Sequence, residues 1–359
     1  MELSTSAPAS LSLKRARAYL EEVADSPADH LSVLASPDAG FRHVVPRSAV
    51  RAHLRRTVGV DPGFDLGADA FAAMIGLALA DRRDPVVPAE LLDLFAERIA
   101  LCRRRNRYGY FVDVPEFAAD TDCTALSAAG LYEHGRQSRA DLAEAARELV
   151  RAAAPPSAAR EGLRPNVVLV YWDDAVEPSA PRRGLKHDAV VCANALYTLS
   201  LARESGAWDE GADVLEATAR HVGAHLGSSE PLGGTRYYPD PTAFLFAVSR
   251  LCDGFEPHAR SFRGALARRI ATARTPDNPL SLALALIAGR AAGAPADQLD
   301  EWGRALVRGQ RDDGSWPAAP YYRMGRFDLC FGSPLITTLF AVRALLGAPV
   351  RGTALGGTA

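Results

Sequence analysis

The stretch DTDCTALSAAGL, residues 120–131, sets two carboxylates two positions apart, then a cysteine and a threonine, at the head of an apolar run. Three kinds of chemistry fit these residue types. Asp120 or Asp122 caps a helix by accepting from the free amides of its first turn. The pair offers hard oxygen ligands to a cation. Or one of them is an acid, its proton affinity raised by the neighbouring carboxylate and by apolar walls. Basic groups gather in three loops: RRRNR (residues 103–107), RRGLKHD with Arg182, Arg183, Lys186, His187 and Asp188, and GTRYYPD with Arg236, Tyr237 and Tyr238. Arginines there can grip a phosphate or carboxylate through two parallel N–H bonds. Aromatic residues in or beside the same loops and those further on, among them Tyr110, Trp172, Tyr238, Tyr322 and Phe331, can wall a cavity and face a carbocation with their π electrons.

These residues must be positioned by helices. Helical periodicity recurs along the chain, and the apolar NVVLVYW (residues 166–172) is the chief candidate strand. Helices charged on one face, such as SRADLAEAARELVRAA and ADQLDEWGRALVRG, alternate with helices that are nearly uncharged. The uncharged set is DLGADAFAAMIGLALA, DTDCTALSAAGL, HDAVVCANALYTLSLA, DPTAFLFAVSRL, NPLSLALALIAG and SPLITTLFAVRALLG. A helix apolar around most of its circumference must be buried on most sides. Six such helices, each followed by an amphipathic one, close as an inner ring within an outer ring: an all-α (α/α)6 toroid. If successive pairs are antiparallel, the inner N-termini share one mouth. Polar caps at Asp120 or Asp122, Asp188, Asp240, Asn278 and Ser333 agree with this. Six positive helix ends at that mouth would favour an anion. The expected organisation is an N-terminal helical extension over 1–60 packing on the toroid, the toroid over 61–347, and a flexible tail over 348–359.

Composition narrows the partners. A formal net charge of −2, with both signs mixed along the chain, leaves no field that would recruit nucleic acid. Five widely spaced cysteines without a CxxC pair suit a reducing, cytoplasmic setting. No signal-peptide core opens the chain, and its most apolar run is too short to span a bilayer.

QRDDGSWP places Gln310, Gly314 and Trp316 in the spacing Q-x3-G-x-W directly after an outer helix. This resembles the QW motif of the triterpene cyclases, whose relatives include class II diterpene cyclases and protein prenyltransferase β subunits. DTDCTA resembles the DxDD(T)A acid motif of the same cyclases: Asp120, Asp122, Thr124 and Ala125 match, and Cys123 stands in the fourth, usually acidic, place. The resemblance implies that Asp122 protonates an alkene or epoxide with Asp120 as its partner. That acid must stay neutral in a dry cavity, which burial and a like-charged neighbour favour and helix N-termini oppose. WDDAVE matches the DDxxD/E metal motif of class I terpene synthases in letters (Asp173, Asp174, Glu177), but it precedes a loop and reads as a solvated acidic turn. FDLC gives Asp328 and Cys330 the D-x-C spacing of prenyltransferase zinc ligands, with no histidine following. His221 and His225 lack the HExxH glutamate and read as a solvated helix face.

The resemblance therefore implies a cofactor-independent, terpene-cyclase-like enzyme acting on a small hydrophobic or prenyl-type substrate. Its candidate residues are Asp122 and Asp120 as acids, with Cys123, Thr124, His187, Asp188, Arg236, Tyr238, Trp172 and Phe331 around the substrate. Mg2+ enters only if that substrate is a diphosphate. A non-catalytic toroid that binds a hydrophobic or prenylated ligand is the alternative, and a zinc enzyme using Asp328 and Cys330 is a further one. A single toroid needs help to close its pocket, from loops, from the first sixty residues or from a second subunit, and a peripheral membrane contact fits the same substrate class.

Overall fold

A computed structural model of the chain describes residues 7–80, 86–177, 179–325 and 327–347. The expected tail over 348–359 lies outside the described residues. Six helices form the inner ring: α3 (Phe71–Leu79), α5 (Thr121–Glu133), α7 (Ala189–Glu204), α9 (Pro241–Gly254), α11 (Pro279–Ala292) and α13 (Pro334–Leu346). Each touches the next, and α13 returns to α3. All nine residues of α3 and the first fourteen of α7 are buried, as helices without a polar face must be. Between them come the outer helices α4 (Ala89–Ala100), α6 (Arg139–Arg151), α8 (Ala212–Leu226), α10 (Glu256–Ala271) and α12 (Ala296–Arg308). The sixth outer place, between α12 and α4 and against α13, is filled by α1 (Ala7–Asp25). Helix α2 (Arg47–Val58) lies outside the rings, against strand β1 (Leu34–Ser36).

The QW segment fastens this closure. The Gln310 amide donates to Ser12 O and Gly314 O, both at 2.9 Å, while its Oε1 accepts from the Ser12 hydroxyl at 2.7 Å. Trp316, fully buried, donates its indole N–H to Leu306 O at the end of α12. Gly314 has φ +88°, and a Cβ there would sit 2.2 Å from Arg15 O, so only glycine lets the turn press against α1.

Five inner helices carry the expected polar caps. Asp120, Asp188, Asp240, Asn278 and Ser333 each accept a backbone N–H of their own first turn. Helix α3 begins later than its sequence run suggests, because Asp69 stops short of it, accepting from Phe71 N, Val33 N and Arg47 Nη1. That buried ion pair ties α2 and β1 to the mouth. The strands are minor: β1 pairs antiparallel with β5 (Cys330–Gly332), which pairs with β4 (Tyr322–Arg323), and β2 (Arg103–Arg104) pairs with β3 (Arg107–Tyr108). Residues 166–172, the candidate strand, form only an isolated bridge from Val168 to Ala153. Their bonds go instead to a scatter of partners, such as Thr121 N to Val170 O and Val170 N to Lys186 O. No helix among the described residues is long and apolar enough to cross a membrane.

Candidate active site

A cavity of about 390 Å³ opens at the N-terminal ends of the inner helices. Its wall is aromatic: Phe71, Tyr110, Phe111, Phe117, Tyr171, Tyr237, Tyr238, Tyr322, Phe327 and Phe331 all line it. Below it the ring is filled, with Tyr321 against Tyr238 and Phe340, and Phe340 against Phe246. The chamber is thus one end of the barrel rather than a channel through it.

The two aspartates at the head of α5 divide their work. Asp120 caps the helix, its Oδ1 accepting from Cys123 N at 2.7 Å. Asp122 makes no cap. It is 6% exposed, its Oδ1 accepts from the Asn194 amide at 2.8 Å, and its Oδ2 accepts from the Tyr238 hydroxyl. Both carboxylates line the cavity. Burial pushes Asp122 up to about 6, against the pull of Tyr238 and Asn194. Burial and then the charge of Asp122 push Asp120 up to about 7. Desolvation outweighs the helix end, so the pair gives up its protons only as pH rises through about 6 to 7. Cys123, also on the cavity wall, is a neutral thiol, raised first by burial and then by the two aspartates.

Behind Asp122 stands a relay that sequence reasoning missed. Arg250, 2% exposed, donates from Nη1 to Asn194 Oδ1 at 3.4 Å and lies 4.2 Å from the centre of the Tyr197 ring. Its Nε and Nη2 have no hydrogen-bond partner among the described residues. A guanidinium so placed favours the ionised form of Asp122 through Asn194. The available signal was an Asn and an Arg within the buried stretches of two helices whose other charges, Arg203, Glu204 and Asp253, fall at their C-terminal ends.

Of the other expected residues, Arg236, Tyr238 and Phe331 line the cavity. Four expected substrate residues lie off it. The Thr124 hydroxyl accepts from Tyr108 N, holding β3 on α5. Asp188 caps α7 and accepts from Tyr237 N. His187 spends both ring nitrogens on Val168 O and Arg164 N. Trp172 lies under the Arg107 guanidinium, 4.2 Å from ring centre to Cζ, and donates to Glu148 O. Phe71, Phe117, Tyr171 and Arg323 are lining residues that the sequence did not single out.

The histidines of α8 are not a solvated face. His221 packs on the His187 ring at 5.2 Å and His225 on Phe244 at 4.6 Å, and burial holds His221 down at about 4. Asp328 is exposed while Cys330 is buried in β5. Among the described residues no three His, Cys, Asp or Glu side chains converge to hold a metal. The acidic turn of residues 173–177 is exposed to solvent at Asp173 and Asp174, as expected, and its carboxylates are also paired. Asp173 pairs with Arg182, Asp174 with Arg107, and Glu177 with Arg104 and Ala119 N.

No protein-family model matches the chain. It is 34% identical over 169 residues to the drimenol cyclase drtB of Aspergillus calidoustus, a match covering 46% of this chain and 30% of that protein. The aligned part is thus less than a third of that relative's length. The structure is similar to that of the type II terpene cyclase MstE from Scytonema, with TM-score 0.61 and 15% identity over 94% of this chain and 98% of MstE. It is also similar to ent-copalyl diphosphate synthase from Streptomyces platensis, with TM-score 0.53 and 17% identity over 82% of this chain and 54% of that one. The double ring of inner and outer helices, closed here by the QW segment, is the fold that this chain shares with these type II terpene cyclases.

Proposed function

We propose that this chain is a terpene-cyclase-like enzyme that cyclises or isomerises a prenyl-type substrate by protonating it from Asp122. The observation that carries this is the state of the Asp122 carboxyl. It is buried in an aromatic chamber, keeps its proton up to about pH 6, well above the ordinary aspartate range, and is bonded at both oxygens by groups that favour its conjugate base. In the initiating step the proton leaves Asp122 and a π pair of the substrate forms the new C–H bond. Positive charge appears on the more substituted carbon, and the next double bond closes on it. The last cation then loses a proton or takes up water.

As the carboxylate forms, the Asn194 amide, the Tyr238 hydroxyl and the Arg250 charge gain in strength, so they stabilise the transition state more than the resting acid. The ring faces around the chamber stabilise the migrating cation, and exclusion of water delays its capture. Asp120 keeps a second proton beside the first and holds the helix end in place. The drimenol cyclase likeness and the MstE fold support a substrate of this class, since MstE has been crystallised with geranylgeranyl dihydroxybenzoate.

The test is incubation of purified protein with C10 to C30 prenyl substrates and mass spectrometry of the extracts. Cyclic product that vanishes in Asp122→Asn while the variant still melts cooperatively supports the reading. Product that persists in Asp122→Asn removes Asp122 as the donor. Ligand binding without any product would leave a binding toroid instead.

A further inference from the structure

Asp122 starts the proposed reaction, and each ring closure carries the positive charge away from it, so another group must receive the proton that the last cation sheds. The arginines and Lys186 of the cavity wall have no lone pair to offer. Five tyrosines among the described residues line the same wall. Tyr238 is committed to Asp122. Tyr171 and Tyr237 stand edge to face beside the basic residues, with Lys186 5.7 Å from the Tyr171 ring centre, in a field that repels positive charge. The remaining two, Tyr110 and Tyr322, are 212 positions apart and join hydroxyl to hydroxyl.

Local structure brings this pair together. Tyr110 follows β3, and its carbonyl accepts from Ala70 N just ahead of α3. Tyr322 opens β4, whose pairing with β5 stacks its ring on Phe331 at 5.1 Å and 14°. Phe71, the first residue of α3, lies 4.7 Å from the Tyr322 ring and 5.8 Å from the Tyr110 ring. The pair is therefore on the α3 and α13 side of the chamber. Tyr321 alone intervenes between it and the acid's own partner, 5.4 Å from the Tyr238 ring and 6.5 Å from the Tyr322 ring. Two hydroxyls that share one hydrogen bond keep one O–H and several lone pairs uncommitted. Burial, then an Asp69 carboxylate whose effect exceeds that of Arg47, push Tyr322 far up, so it is a neutral phenol in a field that favours positive charge beside it.

We propose that the Tyr110–Tyr322 pair ends the reaction by taking the proton from the last cation, so that the product is an alkene and not a water adduct. This rests on the cyclase reading. The C–H bond next to the cationic carbon breaks, and its electron pair becomes the new double bond. The proton goes to the Tyr322 oxygen, the Tyr322 proton crosses the shared hydrogen bond, and Tyr110 gives its own to water at the mouth, where it is partly exposed. Both phenols end neutral. One phenol alone would be left as an oxonium with no neighbour to relieve it, whereas two in contact pass the charge outward.

Product analysis by mass spectrometry in oxygen-18-labelled water tests this, with C10, C15, C20 and C30 prenyl alcohols and diphosphates as substrates. The wild type is expected to give a cyclic alkene with no water oxygen on a ring carbon. Tyr322→Phe keeps the ring against Phe71 and Phe331 and should cut that alkene's share of the cyclic products roughly fivefold, in favour of isomeric alkenes or labelled alcohol. Total cyclic product should hold within about twofold, and its fall between about pH 6 and 7 should stay in place. Tyr110→Phe should do the same and the double variant no more, because the two act as one unit. Should Tyr322→Phe fail to melt cooperatively, Tyr110→Phe carries the test. A purely structural role would lower every product together. That outcome, unchanged product shares in the variants, or labelled alcohol from the wild type overturns the terminating pair and leaves Asp122 as donor. No cyclic product from the wild type with any of these substrates sinks the cyclase reading and this step with it.

Discussion

Replacing Tyr238 by Phe removes one hydroxyl and leaves the ring against Tyr321 and the cavity wall in place. That hydroxyl donates to Asp122, and hydrogen bonds to charged groups contribute about 1.5–3 kcal/mol. The neutral acid keeps part of this, so the difference between the two protonation states is about 1–2 kcal/mol, or roughly one pH unit. Asp122, now at about 6, should therefore move to about 7. The working form of a proton donor is the protonated one, so kcat/KM is full at low pH and falls as pH rises through the aspartate pair, between about 6 and 7. Tyr238→Phe should carry this falling limb upward by roughly one unit and lower the plateau by roughly tenfold, because a weaker acid reaches a less stabilised carboxylate. The assay is initial rate of cyclic product from pH 4.5 to 9. An unmoved limb with an unchanged plateau would refute the assignment of Asp122 as donor.

Stability should mirror this. A carboxyl whose folded pKa lies above its unfolded 3.8 binds protons more tightly when folded, so its stabilising contribution is present below about pH 4 and is lost as pH rises through about 6. Asp122→Asn should thus melt higher than wild type at pH 8, with a gain on the order of 3 kcal/mol relative to pH 4, and scanning calorimetry at both pH values checks it. Cys123→Asp would add a third buried carboxyl beside Asp120 and Asp122, and we expect the falling limb of the rate to move up in pH and the melting temperature at pH 8 to drop. Gln310→Ala removes two hydrogen bonds to Ser12 of α1 and one to Gly314 within its own turn and should cost about 1–3 kcal/mol of stability, measured by urea unfolding, with kcat little changed. Arg107→Ala takes from buried Glu148 one of its two arginine partners, leaving Arg151, and frees Asp174; a loss of about 1.5–3 kcal/mol is expected in the same assay.

The toroid was legible because its signals are local. Nearly uncharged helices, caps one residue ahead of five of them, and a Q-x3-G-x-W turn follow from hydropathy and backbone amides alone. Asp122 and Asp120 were legible as a pair, but not which of them caps, since both spacings satisfy a first turn. His187, Trp172 and Asp188 lie in mouth loops as expected, yet their side chains turn to backbone and arginine partners, and loop sequence carries no such direction. Asn194 and Arg250 were overlooked because their roles depend on three helices meeting. Arg183, Lys186, Arg236 and Arg323 reach the cavity wall from three separate segments, a convergence that no one stretch of sequence displays.

Ser12 and Gln310 are 298 positions apart, and they meet where the last outer helix abuts the first. During synthesis the opening helix must therefore wait for nearly the whole polypeptide before its neighbour arrives, and until then greasy rods face solvent with no chamber between them. Topology of this kind slows folding. Assembly of the aromatic hollow should be a late, all-or-none event.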